Sequence, residues 1–344
     1  MKTIDHEELR EIVRSVYLAN GVSEEVARTV SDLQVEANVV GHDSHGVSNT
    51  EKYVNEIHLG HIVPDSRLEV LQEGPSTLVL DGNWGFGYSI TSEAIPLIAA
   101  KAKQNGVCAA IIRRQGHVGR LGAYTTMLAE QSMIGLMTAD SGAAPKHVAP
   151  FGGRERKLGT NPISIAVPAS NTIACLDMAT SGTAVGKLMI ARLRGEQIPD
   201  DLLVDQHGLP TNDPEDFFRG GALLPMGGNQ AHKGSGLSFM VEVLSGILTG
   251  IGFGVDPKGR HNDGCFILAL DIEAFKPLVE FLVEMQEFTD WIKDSELAVG
   301  SDEVLYPGES EQRLRAQRLE KGVPVDDSVY EYLLQAAGTV HQRS

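Results

Sequence analysis

The sequence has few cysteines and no long apolar run. Its 344 residues include three cysteines, Cys108, Cys175 and Cys265. This odd, widely spaced set contains no C-x-x-C pair, so it predicts neither a disulfide framework nor a zinc site, and each thiol is expected to fill a buried position. Because no apolar run approaches the about 20 residues that span a bilayer, we expect no membrane partner.

Positive charge is also scarce. Lysine and arginine together number 29 against 46 aspartates and glutamates, which gives a formal net charge of −17. A surface this acidic repels phosphate backbones, so we expect no nucleic-acid partner, and an anionic ligand requires a local positive pocket. The first residues, MKTIDHEELREIV, have the pattern of an amphipathic helix rather than a signal peptide, and a cytoplasmic location is expected.

The two standard nucleotide-binding fingerprints are missing. Gly85 and Gly87 are followed by Ile90 where the dinucleotide fingerprint requires a third glycine. The segment from Gly182 to Lys187 is one residue too short for a P-loop and lacks its Ser or Thr. No metal site is expected either, because no His, Cys or Asp cluster has the spacing of metal ligands.

The periodicity of apolar residues indicates an α/β protein. Residues 5–40 have the pattern of two helices, with Asp5 and Ser23 at their N-caps. From about residue 76, short apolar strands alternate with helices, and helical patterns return after residue 277. This order of elements is typical of an α/β core flanked by helices.

Two glycine-bounded loops carry histidines. Ser44 and His45 lie in the first, Gly41–Gly46, and His117 and Arg120 lie in the second, Gly116–Gly122, after a predicted buried strand. Ligands bind at strand ends in α/β proteins, and a histidine beside an arginine offers a proton carrier and a carboxylate clamp. The alternative is a pair of tight turns with solvated side chains.

Two further turns carry weaker signals. Thr160, in the turn 158–162, has a hydroxyl that suits a carboxamide or a substrate oxygen, although such turns are common. His232 and Lys233 precede a glycine-rich helix start. This pattern predicts either a phosphate-binding site at the helix N-terminus or an ordinary capped surface helix.

Seven motifs in order, between about residues 5 and 335, resemble the malate/L-lactate dehydrogenase family of the sulfolactate dehydrogenase-like fold. The loop 116–122 most resembles its hydroxycarboxylate dehydrogenase branch. The matching segments are 41–47, 117–119, 148–150, 158–162, 176–181, 186–187 and 224–227.

This resemblance implies an α/β fold whose cofactor domain has a mixed sheet and is not of the Rossmann type. It implies an α/β cofactor- and substrate-binding core over residues 76–274. A helical part, residues 1–75, would pack against residues 275–344. The oligomer would be a homodimer with the site near the subunit interface.

The resemblance also implies an NAD(P)-dependent oxidoreductase that interconverts 2-hydroxy and 2-oxo acids, with NAD slightly preferred to NADP. His117 is the favoured acid–base residue, His45 is a near-equal candidate, and Ser44 would orient His45. The implied cofactor contacts are Ser141, Thr160, Ile173, Asp177, Met178, Ala179, His232, Lys233, Gly308, Glu309 and Ser310.

One position departs from the family pattern. Many members have an arginine that grips the substrate carboxylate where this chain has Asn49. We therefore hypothesise that Arg120 provides the carboxylate clamp, with Asn49 and Thr160 as further substrate contacts. Two alternatives remain open: a reductase of cyclic 2-imino acids such as piperideine-carboxylate, and a non-catalytic nucleotide-binding relative.

Overall fold

The computed structural model describes residues 1–142, 144–169, 172–254, 260 and 262–338. Its helices are α1 (His6–Ala19), α2 (Glu24–Val39), α3 (Thr50–His58), α4 (Gly87–Asn105), α5 (Gly122–Ala129), α6 (Val185–Arg194), α7 (Pro214–Phe218), α8 (His232–Val241), α9 (Leu278–Lys293), α10 (Glu309–Lys321) and α11 (Asp327–Gly338). Its strands are β1 (Lys2–Ile4), β2 (Glu69–Glu73), β3 (Thr77–Gly85), β4 (Val107–Gln115), β5 (Met133–Asp140), β6 (Ile163–Pro168), β7 (Ile173–Met178), β8 (Leu203–Val204), β9 (Pro210–Thr211), β10 (Ala222–Leu223), β11 (Gly264–Asp271) and β12 (Val323–Val325). None of these helices combines the length and apolarity needed to cross a bilayer.

The central sheet is mixed, as the resemblance implied. Seven strands lie in the order β2-β3-β4-β11-β5-β6-β7. β3 and β4 run parallel, and the other neighbouring pairs of this sheet run antiparallel. The side chains of Cys108, Ala110 and Ile112 on β4 alternate into a core that α4 and α5 help to build, as a strand period of two requires.

The strand directions bring the predicted motifs to one end of the sheet. Gly264 at the start of β11 pairs with Asp140 at the end of β5, and Cys265 pairs with Ile112 near the end of β4. Because β6 is antiparallel to both β5 and β7, its first residue lies at this same end and pairs with Met178. The loops after β4, β5 and β7, and those before β6 and β11, therefore meet there.

A helical layer covers the N-terminal half of α4. Leu9, Val13 and Val16 form the buried stripe of α1, and Leu333 of α11 belongs to the same core. The antiparallel pairing of β1 with β12 joins the two ends of the chain. The predicted cap at Asp5 is confirmed, since its carboxylate accepts from the backbone N–H groups of the first turn at 2.9 and 3.2 Å.

Other sequence expectations differ in detail. Ser23 occupies an N-cap position without a side-chain cap bond, and its own N–H donates to Asp65. Cys175 lies on the edge strand β7, where every residue is part-exposed, so the expectation that all three thiols are buried is wrong for this one. The predicted boundary at residue 76 falls between β2 and β3, which pair; the division into two parts stays a prediction.

Candidate active site

The two histidine loops meet at the end of the sheet where β4 terminates. His45 closes a short turn after α2, and His117 lies on the loop after β4. Their imidazole rings stack with centroids 5.8 Å apart and planes inclined by 9°. Both rings line a cavity of about 360 Å³. Two titratable rings that are distant in sequence therefore share one wall of a cavity large enough for a small ligand.

A buried tyrosine holds the inner edge of His117. The hydroxyl of Tyr53 on α3 lies 2.6 Å from Nδ1 of His117. Burial raises the pKa of Tyr53 well above its ordinary value, so the hydroxyl keeps its proton. Because Nδ1 faces Tyr53, Nε2 is the ring nitrogen on the opposite edge of the imidazole, away from Tyr53.

The direction of these hydrogen bonds follows from their last acceptor. The hydroxyl of Tyr88 donates to the carbonyl oxygen of His45 at 3.1 Å, because a carbonyl only accepts. With this proton used, Tyr88 can only accept from Tyr53 at 3.4 Å, and we infer that Tyr53, whose proton is directed at Tyr88, accepts from N–H of His117 at 2.6 Å. The chain thus places the proton of a neutral His117 on Nδ1 and leaves Nε2 as a base.

His45 has a different electrostatic environment. Its enclosure lowers its pKa to about 4, and the neighbouring side chains of His42 and Arg120 act in the same direction. The ring is therefore neutral near pH 7. Oγ of Ser44 lies 3.2 Å from its Nδ1, which is the contact expected of an orienting hydroxyl.

Gly119 permits the loop to pass close to Tyr88. A Cβ built at Gly119 would lie 2.4 Å from Cε1 and 2.4 Å from the hydroxyl oxygen of Tyr88, and the residue has a φ of +70°. Any side chain at this position would therefore clash with Tyr88 and strain the left-handed backbone. Gly119 brings the backbone of this loop against Tyr88.

Asp263, which the sequence analysis missed, joins two of the converging loops. One carboxylate oxygen accepts from the backbone N–H of Val118 at 3.0 Å, and the other accepts from Oγ of Ser141 at 2.8 Å. The residue directly precedes β11 and is buried. Its position between a glycine-rich polar segment and an apolar strand was the available sequence signal.

A buried charge cluster forms another wall of the cavity. Nζ of Lys146 lies 2.9 and 3.2 Å from the carboxylate oxygens of Asp140 and 3.0 Å from Glu242. Glu242 also accepts from the side-chain amide of Asn161. Burial raises the pKa of Asp140 above its ordinary value, against the opposing effect of Lys146. No local pattern predicts this cluster, because Glu242 is distant in sequence from Asp140 and Lys146.

The predicted substrate contacts are distributed unequally. Thr160 lines the cavity, whereas Arg120 and Asn49 lie outside its lining. The guanidinium of Arg120 faces Asp177 at 3.7 Å, and the side-chain amide of Asn49 donates to the carbonyl of Ser44 at 2.7 Å. Burial raises the pKa of Asp177, and Arg120 opposes this shift.

The predicted cofactor contacts form three groups. The first group lies at the cavity. Ser141 and Thr160 line it, and Ala179 is near because the next residue, Thr180, donates its N–H to the carbonyl of Thr160 at 2.9 Å. The second group joins β7 to the start of α10. Cys175 donates its N–H to Pro307 at 2.9 Å, beside Ile173, Asp177, Met178, Gly308, Glu309 and Ser310.

The third group, His232 and Lys233, lies exposed in the first turn of α8, where the ring of His232 contacts that of Phe151. Glu309 is buried, and its carboxylate forms ion pairs with Lys293 and Arg313.

The cavity suits the reacting end of a nicotinamide cofactor. A Cβ at Gly159 would lie 2.4 Å from Oδ1 of Asn161, so only glycine lets the backbone come this close. Oδ1 of Asn161 has no hydrogen-bond partner among the described residues, and the hydroxyls of Ser141 and Thr160 lie on the same cavity. Such acceptors and donors match a carboxamide group.

Comparison with known proteins identifies the family of the chain. The family described as malate/L-lactate dehydrogenase matches residues 4–334. A malate dehydrogenase from Pyrococcus abyssi is 38% identical over 345 residues, covering 98% of this chain and 94% of that protein. Hydroxycarboxylate dehydrogenase B from Escherichia coli is 29% identical over 346 residues, covering 97% and 93%. The sulfolactate dehydrogenase structure from Methanocaldococcus jannaschii has a TM-score of 0.89 and 34% identity, covering 99% of this chain and 98% of that chain. The chain belongs to the malate/L-lactate dehydrogenase family.

Proposed function

We propose that this protein is an NAD(P)-dependent oxidoreductase that interconverts small 2-hydroxy acids and 2-oxo acids. The observation that carries the proposal is the stacked pair of His45 and His117 on a shared cavity, with Tyr53 fixing the second ring. An acid–base group and a neutral polar partner are what proton transfer to a carbonyl oxygen requires.

His117 is the proposed acid–base residue. In the oxidation direction, Nε2 takes the proton of the substrate hydroxyl, and the N–H at Nδ1 stays directed at Tyr53. In the reduction direction the protonated ring returns that proton to the carbonyl oxygen. A bound nicotinamide would accept or supply the hydride. Tyr53 holds the ring in one orientation throughout, so the proton moves at Nε2 alone.

His45 is the proposed second contact to the substrate oxygen. With its pKa lowered to about 4, it is a neutral hydrogen-bonding group at physiological pH and a poor proton donor. Because His45 is a poor proton donor, His117 is the better candidate for the acid–base residue. Ser44 then orients the His45 ring through its 3.2 Å contact.

The cofactor contacts remain the three groups of residues described above, with NAD preferred to NADP. The fit of the cavity at Ser141, Gly159 and Thr160 supports a nicotinamide at the reacting end. The remaining groups would hold the rest of the cofactor, and the choice between the two cofactors is decided by assay.

We further propose a homodimer in the cytoplasm, with residues 1–75 and 275–344 as one structural part and residues 76–274 as the other. The number of large exposed apolar side chains supports an interface that would cover them. They lie on and near α6, α8 and α9, and are Met189, Ile190, Leu193, Phe239, Met240, Ile247, Leu248, Phe253, Val279, Phe288 and Trp291. Light scattering of the purified protein tests the dimer.

The function is tested by steady-state assays with NADH and NADPH against pyruvate, 2-oxoglutarate, phenylpyruvate and piperideine-carboxylate. We expect turnover of at least one 2-oxo acid, and His117→Gln should lower kcat by roughly 10²–10⁴-fold. His207→Gln, in an exposed turn, is the control. Turnover of the imine alone would identify the cyclic 2-imino acid reductase. Cofactor binding without any turnover would identify a non-catalytic relative.

A further inference from the structure

An acid substrate needs a positive partner in the cavity, and three nearby basic residues are paired, outside the lining or neutral. Lys146 is buried between two carboxylates at 2.9 and 3.0 Å. Arg120 faces Asp177 and lies outside the lining of the cavity. His45 is neutral at physiological pH. Lys146, Arg120 and His45 therefore offer no uncompensated positive charge to an acid in the cavity.

Lys52 lines the same cavity and has a different environment. Its ion-pair partner, Glu56, is 3.9 Å away, beyond hydrogen-bond distance, and its side chain is 48% exposed. The ammonium therefore keeps most of its hydrogen-bonding capacity for a ligand. His45 and His117 line this cavity together with Lys52.

Helix α3 fixes Lys52 relative to the reacting groups. The next residue, Tyr53, is the one that binds Nδ1 of His117, and Nζ of Lys52 lies 5.8 Å from its ring centre. A single rigid helical turn thus carries both the lysine and the anchor of the proposed acid–base residue. Asn49, one turn earlier, spends its amide on the carbonyl of Ser44.

We propose that Lys52 binds the carboxylate next to the reacting carbon of the 2-oxo or 2-hydroxy acid. This inference rests on the proposed function. The four-carbon stem lets the ammonium follow the acid group, and a lysine acts as a point charge rather than a bidentate fork. Lys52 is therefore a substrate-binding residue that selects acids over their neutral analogues.

The test compares a charged substrate with an uncharged one. Lys52→Met and Lys52→Arg are assayed with pyruvate and with its neutral amide, pyruvamide. Lys103→Met is the matched control, because Lys103 lies near the C-terminal end of α4, at the opposite end of the sheet, and is 54% exposed.

We expect Lys52→Met to raise KM for pyruvate by roughly 10- to 100-fold, with kcat changed less than about threefold, because a charge-assisted hydrogen bond is lost. KM for pyruvamide should change less than about twofold. Lys52→Arg should retain most of the preference for the acid, and Lys103→Met should behave as the wild type.

Binding of oxamate, a non-reducible isostere of pyruvate, to the enzyme with NADH provides a readout without turnover, and Lys52→Met should weaken it by a similar factor. Equal losses for acid and amide, or no loss for either, would overturn the role of Lys52 while leaving the proposed function intact. Absence of turnover in the wild-type protein with every 2-oxo acid would instead defeat the proposed function.

Discussion

The hydroxyl of Tyr53 provides the sharpest test of the site. Tyr53→Phe removes one oxygen that lies 2.6 Å from Nδ1 of His117 and leaves the shape of the buried ring unchanged. In the wild-type protein this oxygen accepts the N–H of His117 and fixes its tautomer. In the variant the N–H has lost its partner, and the ring can adopt the tautomer that blocks Nε2.

The size of the effect follows from the burial of the contact. Leaving a buried polar group without its partner costs about 1–3 kcal/mol, which corresponds to a loss of roughly 5- to 150-fold in kcat/KM. Tyr88→Phe should cost less than about tenfold, because Tyr53 then keeps its contact with His117 but loses the acceptor that directs its own proton.

Tyr17→Phe is the matched control. The hydroxyl of Tyr17 is also buried and donates to Oε1 of Gln34 at 2.6 Å, one hydrogen bond further from the histidine loop, because Gln34 in turn donates to the carbonyl of Gly46. Both variants should lose a similar free energy of unfolding in urea titrations, but only Tyr53→Phe should lose kcat/KM. If Tyr53→Phe keeps its activity, or if both variants lose it equally, the tyrosine does not position His117.

Three further changes test other parts of the site. Gly119→Ala should destabilise the protein by about 1–3 kcal/mol more than Gly152→Ala in urea titrations. Both glycines have a left-handed φ, but only a methyl group at position 119 would clash with Tyr88. Equal losses would mean that backbone strain alone accounts for the effect. Since the pKa of His45 is about 4 when folded and 6.5 when free, the unfolded chain binds the extra proton between these values, so stability falls as pH decreases through this window. His45→Gln should remove on the order of 1 kcal/mol per pH unit of that slope, and an unchanged slope would contradict the shift. Lys146→Met should lower the free energy of unfolding by about 3–5 kcal/mol, because it leaves two buried carboxylates without their cation. The exposed Lys157→Met should lower it by less than about 1 kcal/mol. Similar losses in both variants would show that charge does not hold the buried cluster together.

The elements could be predicted wherever one side-chain period dominates. The strand–helix alternation predicted from about residue 76 is confirmed from β3 to β5, because each element has a clear side-chain period. His232 and Lys233 lie within the first turn of α8 rather than ahead of it, and α8 continues into a wider helical turn over Glu242–Ile247, which buries Glu242 beside Lys146. No local pattern shows this contact, because Lys146 and Glu242 are distant in sequence.

The candidate site was predicted only in its loops. Glycines beside His45 and His117 are visible in a sequence, since they mark places where the backbone turns tightly. Tyr53 is not visible in this way, because at a buried helical position it has the pattern of an ordinary core residue. Its hydroxyl reaches His117 only when α3 lies against the loop that follows β4. Lys52 has the pattern of a solvated helix residue for the same reason.

Arg120 provides the last comparison, because the sequence favoured it as the carboxylate clamp. Its side chain is 11% exposed, as is that of Asp177, and their charged atoms lie 3.7 Å apart. Asp177 also accepts the N–H of Gly122 at 2.8 Å, so the pair joins the histidine loop to β7. Arg120→Met should therefore lower the free energy of unfolding by about 1–3 kcal/mol, which is less than for a fully desolvated pair. Adding Asp177→Asn to this variant should restore part of the lost stability. The preference for pyruvate over pyruvamide should survive in Arg120→Met within about threefold if Lys52 binds the carboxylate. If that preference vanishes in Arg120→Met and persists in Lys52→Met, the guanidinium is the clamp, since only the residue that contacts the carboxylate can distinguish the acid from its amide.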